Sequence, residues 1–270
     1  MSDCRFSIVA NSRDVPWYAL VKEYGIDKHD FNEKPFYITA KQIKAVVNEM
    51  KGLTTTQKEV RTLAYQAKKS ERPKFFVDNG LFILPVKNGK YAIIRGEGYI
   101  EIPEISSPPI DFRSRMEFQL ITSGIGDSES QHLDSAFNSG ILDDFVDRGR
   151  LFLTIRGRKR TPEFDFSVDK HKITAERGVQ TEADGGYEST DAIVIVEGKN
   201  TNVSNTLIRQ LYYPYRMWRI NTENKKDVIP IFFEKKDEEY MFWMFEFTDP
   251  DDYNSIRLVM SARYCLADRN

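Results

Sequence analysis

Apolar residues along this chain alternate between helical and strand-like spacing. They recur at i, i+3, i+4 and i+7 over residues 43–50, and at near-helical spacing over residues 133–141. Both stretches predict amphipathic helices, and they follow Thr39 and Ser128, which are residue types that commonly begin helices. Apolar runs of strand length dominate later in the chain, for example over residues 193–196. The pattern therefore predicts an α+β or α/β protein.

Residues 1–105 are predicted to form a separate N-terminal module. Its first helix covers residues 43–50, and Thr56 and Glu59 are spaced as the capping box of a second helix that ends near Lys69. The Arg72-Pro73 pair should end this second helix. We expect strands after it.

Two Asn-Gly pairs, Asn79-Gly80 and Asn88-Gly89, follow these helices and are strong signals for β-hairpin turns. Two helices followed by a β-meander resemble a winged-helix module, in which the second helix commonly enters the major groove of DNA. The alternative is a helical cap with no role in DNA binding. The side chains of the second helix that could contact phosphates and bases are Lys58, Arg61, Gln66, Lys68 and Lys69.

Residues 106–270 are predicted to form the second domain, after a Ser- and Pro-rich linker over residues 103–109. Strands are expected over residues 151–155 and 164–168, with the basic run from Arg156 to Arg160 forming the turn between them. A helix is expected over residues 203–218.

Pro214 lies inside that predicted helix and should kink it or end it early. The C-terminal part is rich in strand-like runs, over residues 229–234, 240–247 and 256–265. These runs are too apolar for a free surface, so they either extend the core sheet or form a subunit contact. The aromatic residues concerned are Phe232, Phe233, Phe242, Trp243, Phe245 and Phe247.

The composition excludes several classes of protein. The chain has 270 residues, 30% of them charged, and a formal net charge of −2, so it is not a globally basic nucleic-acid binder. Its apolar runs are too short for a membrane span, and the N-terminus lacks the apolar core of a secretory signal. Two distant cysteines, Cys4 and Cys265, argue against a disulfide framework or a zinc site. We expect a cytoplasmic protein of a bacterium or archaeon.

The apolar run over residues 193–196 leads directly into Glu197-Gly198-Lys199. Side chains at i and i+2 of a strand point to the same face, so Glu197 and Lys199 should project side by side from the end of a buried strand. An acid that holds a metal ion, beside a cation that orients water or neutralises developing charge, suits phosphodiester hydrolysis.

The second metal-binding carboxylate should come from upstream, where the candidates are Glu182, Asp184 and Asp191. Asp191 lies six residues before Glu197, roughly 20 Å away along one strand, so these two residues cannot share an ion. A two-residue turn at residues 190–191 removes this obstacle for the other acids, because it folds the preceding strand back on Glu197.

That turn would place Asp184 opposite Glu197, and Glu182 opposite Lys199. A slip of the turn by one residue at each end would leave Asp184 diagonal to Glu197 and still within reach. Opposed Cβ atoms of an antiparallel pair are about 5 Å apart, which suits a shared metal ion. An ordinary surface hairpin with charged ends is the alternative interpretation.

This hairpin resembles the core of the PD-(D/E)xK nuclease superfamily. In that superfamily an Asp near the end of one strand is followed, on the next strand, by Glu or Asp, any residue, and Lys. Asp184 matches the first position, Glu197 the second and Lys199 the third, while Ala183 stands where Pro is common. Over roughly residues 128–220 the chain is similar to type II restriction endonucleases and related bacterial nucleases.

The resemblance implies a mixed sheet flanked by helices and a Mg²⁺-dependent nuclease, with Mn²⁺ as a substitute. Asp184 and Glu197 would bind the metal ion. Lys199 would orient or help to deprotonate the attacking water and stabilise the pentacovalent phosphate, with Glu182 as a supporting acid. The superfamily often takes a further metal ligand from the helix before the sheet, where the candidates are Glu129 and Asp134. The candidate DNA contacts are Arg156, Arg158, Lys159, Arg160 and Gln210, together with Arg61, Lys68 and Lys69 of the N-terminal module.

The resemblance therefore predicts a site-specific endonuclease that acts on double-stranded DNA. A homodimer is expected if both strands of a symmetric site are cut, and a cognate DNA methyltransferase is expected in the same system. Two alternatives stay open. One is a related nuclease of DNA repair or defence without sequence-specific recognition, and the other is a winged-helix regulator with no enzymatic activity.

Overall fold

The computed structural model describes residues 11–118, 121–124, 128–200 and 203–267. The chain divides into two compact units, Met1–Gly98 and Tyr99–Asn270. This division lies before the predicted boundary at residue 105, so the Ser- and Pro-rich linker belongs to the second unit. Cys4 lies outside the described residues. In the part of the chain that the structure describes, no helix is long and apolar enough to cross a membrane.

The first unit combines short helices with a small antiparallel sheet, whose strand order is β1-β3-β2. Two 3₁₀ turns, Ile26–Lys28 and Lys69–Glu71, connect its elements. The elements are α1 (Asp14–Glu23), β1 (Phe36–Thr39), α2 (Ala40–Glu49), α3 (Thr55–Lys58), α4 (Val60–Ala64), α5 (Lys74–Asp78), β2 (Leu81–Lys87) and β3 (Lys90–Arg95).

Helix α2 begins where its sequence predicts. The Thr39 side chain accepts a hydrogen bond from the Gln42 backbone N–H, and the Gln42 side chain accepts one from the Thr39 N–H, which completes a capping box. The apolar face of α2 places Ile43 and Val47 in a core that also includes Trp17. The helix is therefore held by both its cap and its buried face.

Three predictions for this unit are wrong. The second helix does not run from Thr56 to Lys69, because it is broken into α3 and α4 by the extended backbone of Glu59. Its cap is Thr54, which pairs with Gln57, and not Thr56. Asn79-Gly80 ends α5 instead of forming a hairpin, whereas Asn88-Gly89 does join β2 to β3 as predicted.

The second unit is built on a seven-stranded mixed sheet of order β5-β14-β13-β12-β10-β9-β6. Two small two-stranded sheets, β11-β4 and β7-β8, accompany it. The strands are β4 (Tyr99–Glu101), β5 (Ile110–Phe112), β6 (Phe152–Arg160), β7 (Phe164–Val168), β8 (His171–Ala175), β9 (Gln180–Glu188), β10 (Ala192–Lys199), β11 (Asn205–Leu207), β12 (Asp227–Lys236), β13 (Glu239–Phe247) and β14 (Ile256–Leu266). The helices are α6 (Glu129–Ser139), α7 (Ile141–Val146) and α8 (Arg209–Asn221), and a 3₁₀ turn covers Ile121–Gly124.

Helices lie on both faces of the large sheet. Leu133 of α6 and Phe145 of α7 pack in one core cluster with Val194 and Val196 of β10. Helix α8 packs against β9, β10 and β12. Side chains alternate between the faces of a strand, so Glu197 and Lys199 of β10 belong to the face opposite Val196, which is the face that α8 approaches.

Central strands β10 and β12 run parallel, whereas β9 pairs antiparallel with β10. The connection from β10 to β12 contains β11 and α8, as a parallel crossover requires. The predicted C-terminal strands are confirmed as β12, β13 and β14. Their aromatic residues extend the core sheet, since Phe232, Phe233, Phe242, Trp243, Phe245 and Phe247 are all buried.

Two predicted elements of this unit differ in the structure. The basic run is not a turn, because Arg156 to Arg160 form the second half of β6 and pair with β9. The helix expected over residues 203–218 begins only at Arg209, after the short strand β11. Pro214 does not end α8 early, since the helix continues to Asn221.

Candidate active site

The hairpin of β9 and β10 has the predicted register. Ile193 pairs with Glu188 and Val196 pairs with Gly185. The Ser189 N–H donates to the Ala192 carbonyl oxygen at 2.9 Å, closing a turn over residues 190–191. The paired strands end at Val196 and Gly185, and the next step in the same register places Asp184 opposite Glu197.

Asp184 bonds to β10 through its side chain. Its Oδ2 accepts a hydrogen bond from the Gly198 backbone N–H at 2.7 Å. A Cβ at Gly198 would lie 3.5 Å from the Glu129 Cβ and 3.6 Å from Asp184 Oδ2, so this backbone passes between two acidic side chains. The predicted pairing of Asp184 with the Glu197-Gly198-Lys199 segment is therefore present.

Lys199 lies among oxygen atoms. Its Nζ donates to Glu197 Oε1 and to the Gly198 carbonyl oxygen, each at 2.6 Å, and lies 4.0 Å from Glu129 Oε2. Burial alone would lower the pKa of Lys199, but the carboxylates of Glu197, Glu129 and Asp184 outweigh it and raise the pKa. The side chain is therefore held as an ammonium cation.

Glu197 is the most perturbed acid of the site. Only 8% of the residue is exposed, and this burial raises the pKa of its carboxyl group to about 7. The negative charges of Asp184 and Glu129 raise it further, whereas Lys199 lowers it. A buried acid with a shifted pKa beside a specific charged partner is a common property of functional sites.

Helix α8 and strand β11 hold Glu197 from the other side. Gln210 donates from Nε2 to Glu197 Oε1, and Thr206 donates from Oγ1 to Gln210 Oε1 at 3.2 Å. Thr206 is buried, with 1% of its surface exposed. The Gln210 amide, predicted as a DNA contact, is thus oriented by Thr206 and directed at the carboxylate.

Three other acids were considered for the site, and of these Glu129 lies close to Lys199. Glu182 does not pair with Lys199, because the β9–β10 ladder ends before it, and its carboxylate bonds to Arg158 at 3.1 Å. Of the two acids considered on α6, Glu129 lies beside Lys199, whereas Asp134 bonds to Arg156.

The predicted basic contacts are largely exposed, but several have partners within the protein. Arg156 donates to the Asp184 carbonyl oxygen at 2.7 Å as well as to Asp134. Arg160 donates to the Gly178 carbonyl oxygen at 3.0 Å, while Lys159 is exposed on β6. In the first unit Arg61 is exposed, Lys68 is half-buried and Lys69 lies 3.4 Å from Glu97.

Two residues of the site were not predicted from the sequence. Thr206 belongs to no recognisable motif, and its role depends on the crossover connection, in which β11 pairs with β4 and Thr206 reaches Gln210. Glu234 is buried and pairs with Lys199 in the parallel register of β10 and β12. An acid at the end of the apolar run over residues 229–233 was the available signal for Glu234.

The oxygen atoms of this site suit Mg²⁺ better than a softer metal. Among the residues that the structure describes, no three His, Cys, Asp or Glu side chains are grouped as a ready metal centre. Mg²⁺ usually needs only one or two carboxylates together with water. Asp184 and Glu197 are the two carboxylates that could bind such an ion, and a cation, the Lys199 ammonium, already lies against Glu197 Oε1 and the Gly198 carbonyl oxygen.

A model of the domain of unknown function DUF6997 matches residues 94–265, more than half of the chain. The chain belongs to the DUF6997 family. A second model, for the domain of unknown function DUF6996, matches residues 14–93. No curated protein and no solved structure matches the chain. All the residues of the candidate active site fall within the DUF6997 segment.

Proposed function

We propose that this chain is a Mg²⁺-dependent endonuclease of the PD-(D/E)xK type that cleaves double-stranded DNA at specific sites, like a type II restriction enzyme. One observation carries the proposal. Asp184, Glu197 and Lys199 meet around Gly198, where Asp184 bonds to the Gly198 N–H and Lys199 bonds to Glu197 and the Gly198 carbonyl. A plain surface hairpin has no need of a buried acid at this position.

In this proposal Asp184 and Glu197 hold Mg²⁺, and Glu129 is near enough to contribute through water. Bound Mg²⁺ would supply an acidified water and neutralise charge on the phosphate. Lys199 keeps its proton, so its part is to orient the attacking water and stabilise the negative charge of the pentacovalent phosphate. Gln210 holds the Glu197 carboxylate in one orientation while the substrate binds.

The position of the three residues in the mixed sheet supports the PD-(D/E)xK proposal. The acid and the Glu-x-Lys segment lie on adjacent antiparallel strands, β9 and β10, both inside the sheet, with helices on its two faces. Helix α6, before the sheet, brings Glu129 to 4.0 Å from the Lys199 ammonium. Both features suit a nuclease core.

The first unit supports a role in DNA recognition. Its order is helix, strand, helices and then a β-hairpin, with β3 between β1 and β2, which suits a winged-helix module. Helices α3 and α4 have only 4 and 5 residues, so a long recognition helix is not part of this proposal. The DNA contacts would come from Arg61 and the neighbouring lysines.

A homodimer and a cognate DNA methyltransferase belong to the same proposal. A symmetric recognition site would be matched by a two-fold symmetric dimer, and host DNA would need protection from cleavage. A related nuclease of repair or defence would need neither of these partners.

The test is cleavage of plasmid and bacteriophage DNA with Mg²⁺ and with EDTA. Lys199→Ala should abolish cleavage and largely spare DNA binding. Lys226→Ala is a matched control, because Lys226 also donates to an acid and to a carbonyl oxygen, at 2.5 Å to Glu188 and 2.7 Å to Ser189, at the other end of the hairpin. This control should cut as the wild type does.

The outcomes separate the candidates. Discrete fragments that need Mg²⁺ and vanish in Lys199→Ala support a site-specific enzyme, and a smear supports the non-specific nuclease. DNA binding without any strand breakage, on methylated and unmethylated DNA alike, favours the regulator, for which the winged-helix-like order of the first unit is the supporting observation.

A further inference from the structure

A groove of about 470 Å³ lies at the beginning of β6, away from the catalytic residues. Its volume falls within the range of roughly 300–1,000 Å³ that small-molecule sites occupy. The side chains that give it its chemistry are Arg115, Phe137, Asn138, Arg150, Phe152 and Leu153. Nothing in the proposed cleavage reaction uses these residues.

Two arginine–aromatic pairs form the walls of this groove. The Arg115 guanidinium lies 5.7 Å from the Phe137 ring centre, and the Arg150 guanidinium lies 5.5 Å from the Phe152 ring centre. Arg115 is fixed by Asp143 and by the carbonyl oxygens of residues 137 and 138. Arg150 is exposed and makes no ion pair with any described residue, so its charge is available to a ligand.

Phe152 and Leu153 are exposed although they lie in a strand of the main sheet, with 57% and 43% of their surfaces accessible. Strand β6 is the last strand in the sheet order, and its pairing with β9 shifts register between Leu153 and Ile155 and again between Ile155 and Gly157. Gly157 has a φ of +67°, as a bulged strand requires. Bulges of this kind make an edge strand a poor template for pairing with another chain.

The groove lies along the sheet from the catalytic carboxylates. Leu153 pairs with Tyr187 of β9, three residues from Asp184, which is roughly 10 Å along an extended strand. Arg156 lies between the two places and donates to the Asp184 carbonyl oxygen. A DNA strand bound at the cleavage site would therefore reach this groove, and Arg150, one or two nucleotides from the scissile phosphate.

Aromatic rings and arginine planes recognise nucleobases because every base has a flat π-face. An exposed ring beside an available cation matches a base attached to its phosphate. We infer that this groove binds a single unstacked nucleobase of the substrate DNA, stacked on Phe152, with the adjoining phosphate held by Arg150. The inference rests on the proposed nuclease function and adds the form of substrate to it: DNA with one base outside the helical stack.

The test measures binding in EDTA, where no cleavage occurs. One short duplex carries a single extrahelical 2-aminopurine, and a second duplex of the same sequence is fully paired. The wild type should bind the first duplex more tightly, because the base is already unstacked. Base–aromatic stacking predicts that Phe152→Ala weakens this binding by about 5- to 150-fold. Quenching of 2-aminopurine fluorescence should disappear with it.

Matched variants separate stacking from charge and from folding. Phe152→Tyr keeps an aromatic ring and should bind as the wild type does, whereas Phe152→Leu keeps only apolar area and should not. Arg150→Gln should weaken binding of both duplexes. Arg257→Gln removes an exposed arginine from β14, which four other strands separate from β6 in the sheet, and should have little effect.

Unchanged binding by Phe152→Ala would overturn the inference, and so would equal affinity for the two duplexes. Competition by dAMP alone at the same concentration would overturn it in favour of a free-nucleotide site. The result is independent of the cleavage reaction. If the protein prefers the extrahelical base but never cuts DNA, the nuclease proposal is refuted and the base-binding groove stands. If it cuts DNA and Phe152→Ala binds both duplexes as the wild type does, the nuclease proposal stands and the base-binding groove is refuted.

Discussion

Replacing Glu197 with Gln should stabilise the metal-free protein as the pH rises. Glu197 is almost completely buried, and its pKa rises from 4.5 to about 7 because burial disfavours its charge. Gln has nearly the same shape, can still face the Lys199 ammonium through its amide oxygen, and carries no charge. The substitution therefore isolates the cost of ionising one buried carboxyl group.

The sign follows from the protons bound in each state. Between about pH 4.5 and 7 the folded protein keeps the Glu197 proton that the unfolded chain has already released, so raising the pH favours unfolding. A pKa difference of about 2.5 units corresponds to about 3 kcal/mol. Glu197→Gln should thus match the wild type near pH 4.5 and exceed its unfolding free energy by about 3 kcal/mol above pH 7.

Urea unfolding at a series of pH values from 4.5 to 8, in EDTA, measures this difference. Glu182→Gln is the control, since it removes an exposed acid from β9 whose carboxylate bonds to Arg158. The pH dependence that Glu197 causes should persist in this control. A difference between Glu197→Gln and the wild type that does not change with pH would refute the reasoning and remove the main sign of a prepared functional site.

Three further predictions concern packing, capping and the metal ion. Gly186→Ala should lower the unfolding free energy by about 1–3 kcal/mol in urea, since its Cβ would lie 2.5 Å from the Ile155 Cβ. Ser128→Ala should lower it by about 1 kcal/mol, seen as a lower melting temperature, because the capping box of α6 is lost. Thr206→Val should weaken Mg²⁺ binding in calorimetry, because Gln210 loses the hydroxyl group that orients its amide.

Each of these has a control. Gly198→Ala should fold normally, because the nearest atoms to its Cβ would be 3.5 Å away. Ser128→Asp should restore the melting temperature, since Asp is an equally good cap. Thr206→Ser should bind Mg²⁺ as the wild type does. The packing argument is contradicted if both glycine variants are equally stable. The capping argument is contradicted if Ser128→Ala melts at the same temperature as the wild type. The argument about Gln210 is contradicted if Thr206→Val and Thr206→Ser bind Mg²⁺ with identical affinity.

Local signals predicted the hairpin at the candidate site well. The length of the loop sets the register of a hairpin, so a turn with two central residues at 190–191 predicted the pairing of Val196 with Gly185. The helices that begin at Thr39 and Ser128 were predicted for the same reason, since a cap and an apolar face specify both their start and their orientation.

The errors come from segments whose structure depends on distant partners. The basic residues from Arg156 to Arg160 have a composition typical of a turn, yet they are held as a strand by pairing with β9. Residues 205–207 continue a helical pattern but pair with β4, about a hundred residues earlier. Glu182 was expected beside Lys199, but its carboxylate bonds to Arg158 on the neighbouring strand β6. No local pattern contains these contacts.

The parallel pairing of β10 with β12 has a consequence for how the site assembles during folding. The β9–β10 hairpin is a local structure, of a kind that forms within about 1–10 μs, so Asp184 can meet Gly198 early. Gln210 and Thr206 reach Glu197 only through the crossover that carries the chain to β12, and such non-local contacts form slowly. The contact between Asp184 and Gly198 can therefore exist in a partly folded chain, whereas an oriented Glu197 requires the completed sheet, so the full candidate site should form only with the last cooperative step of folding.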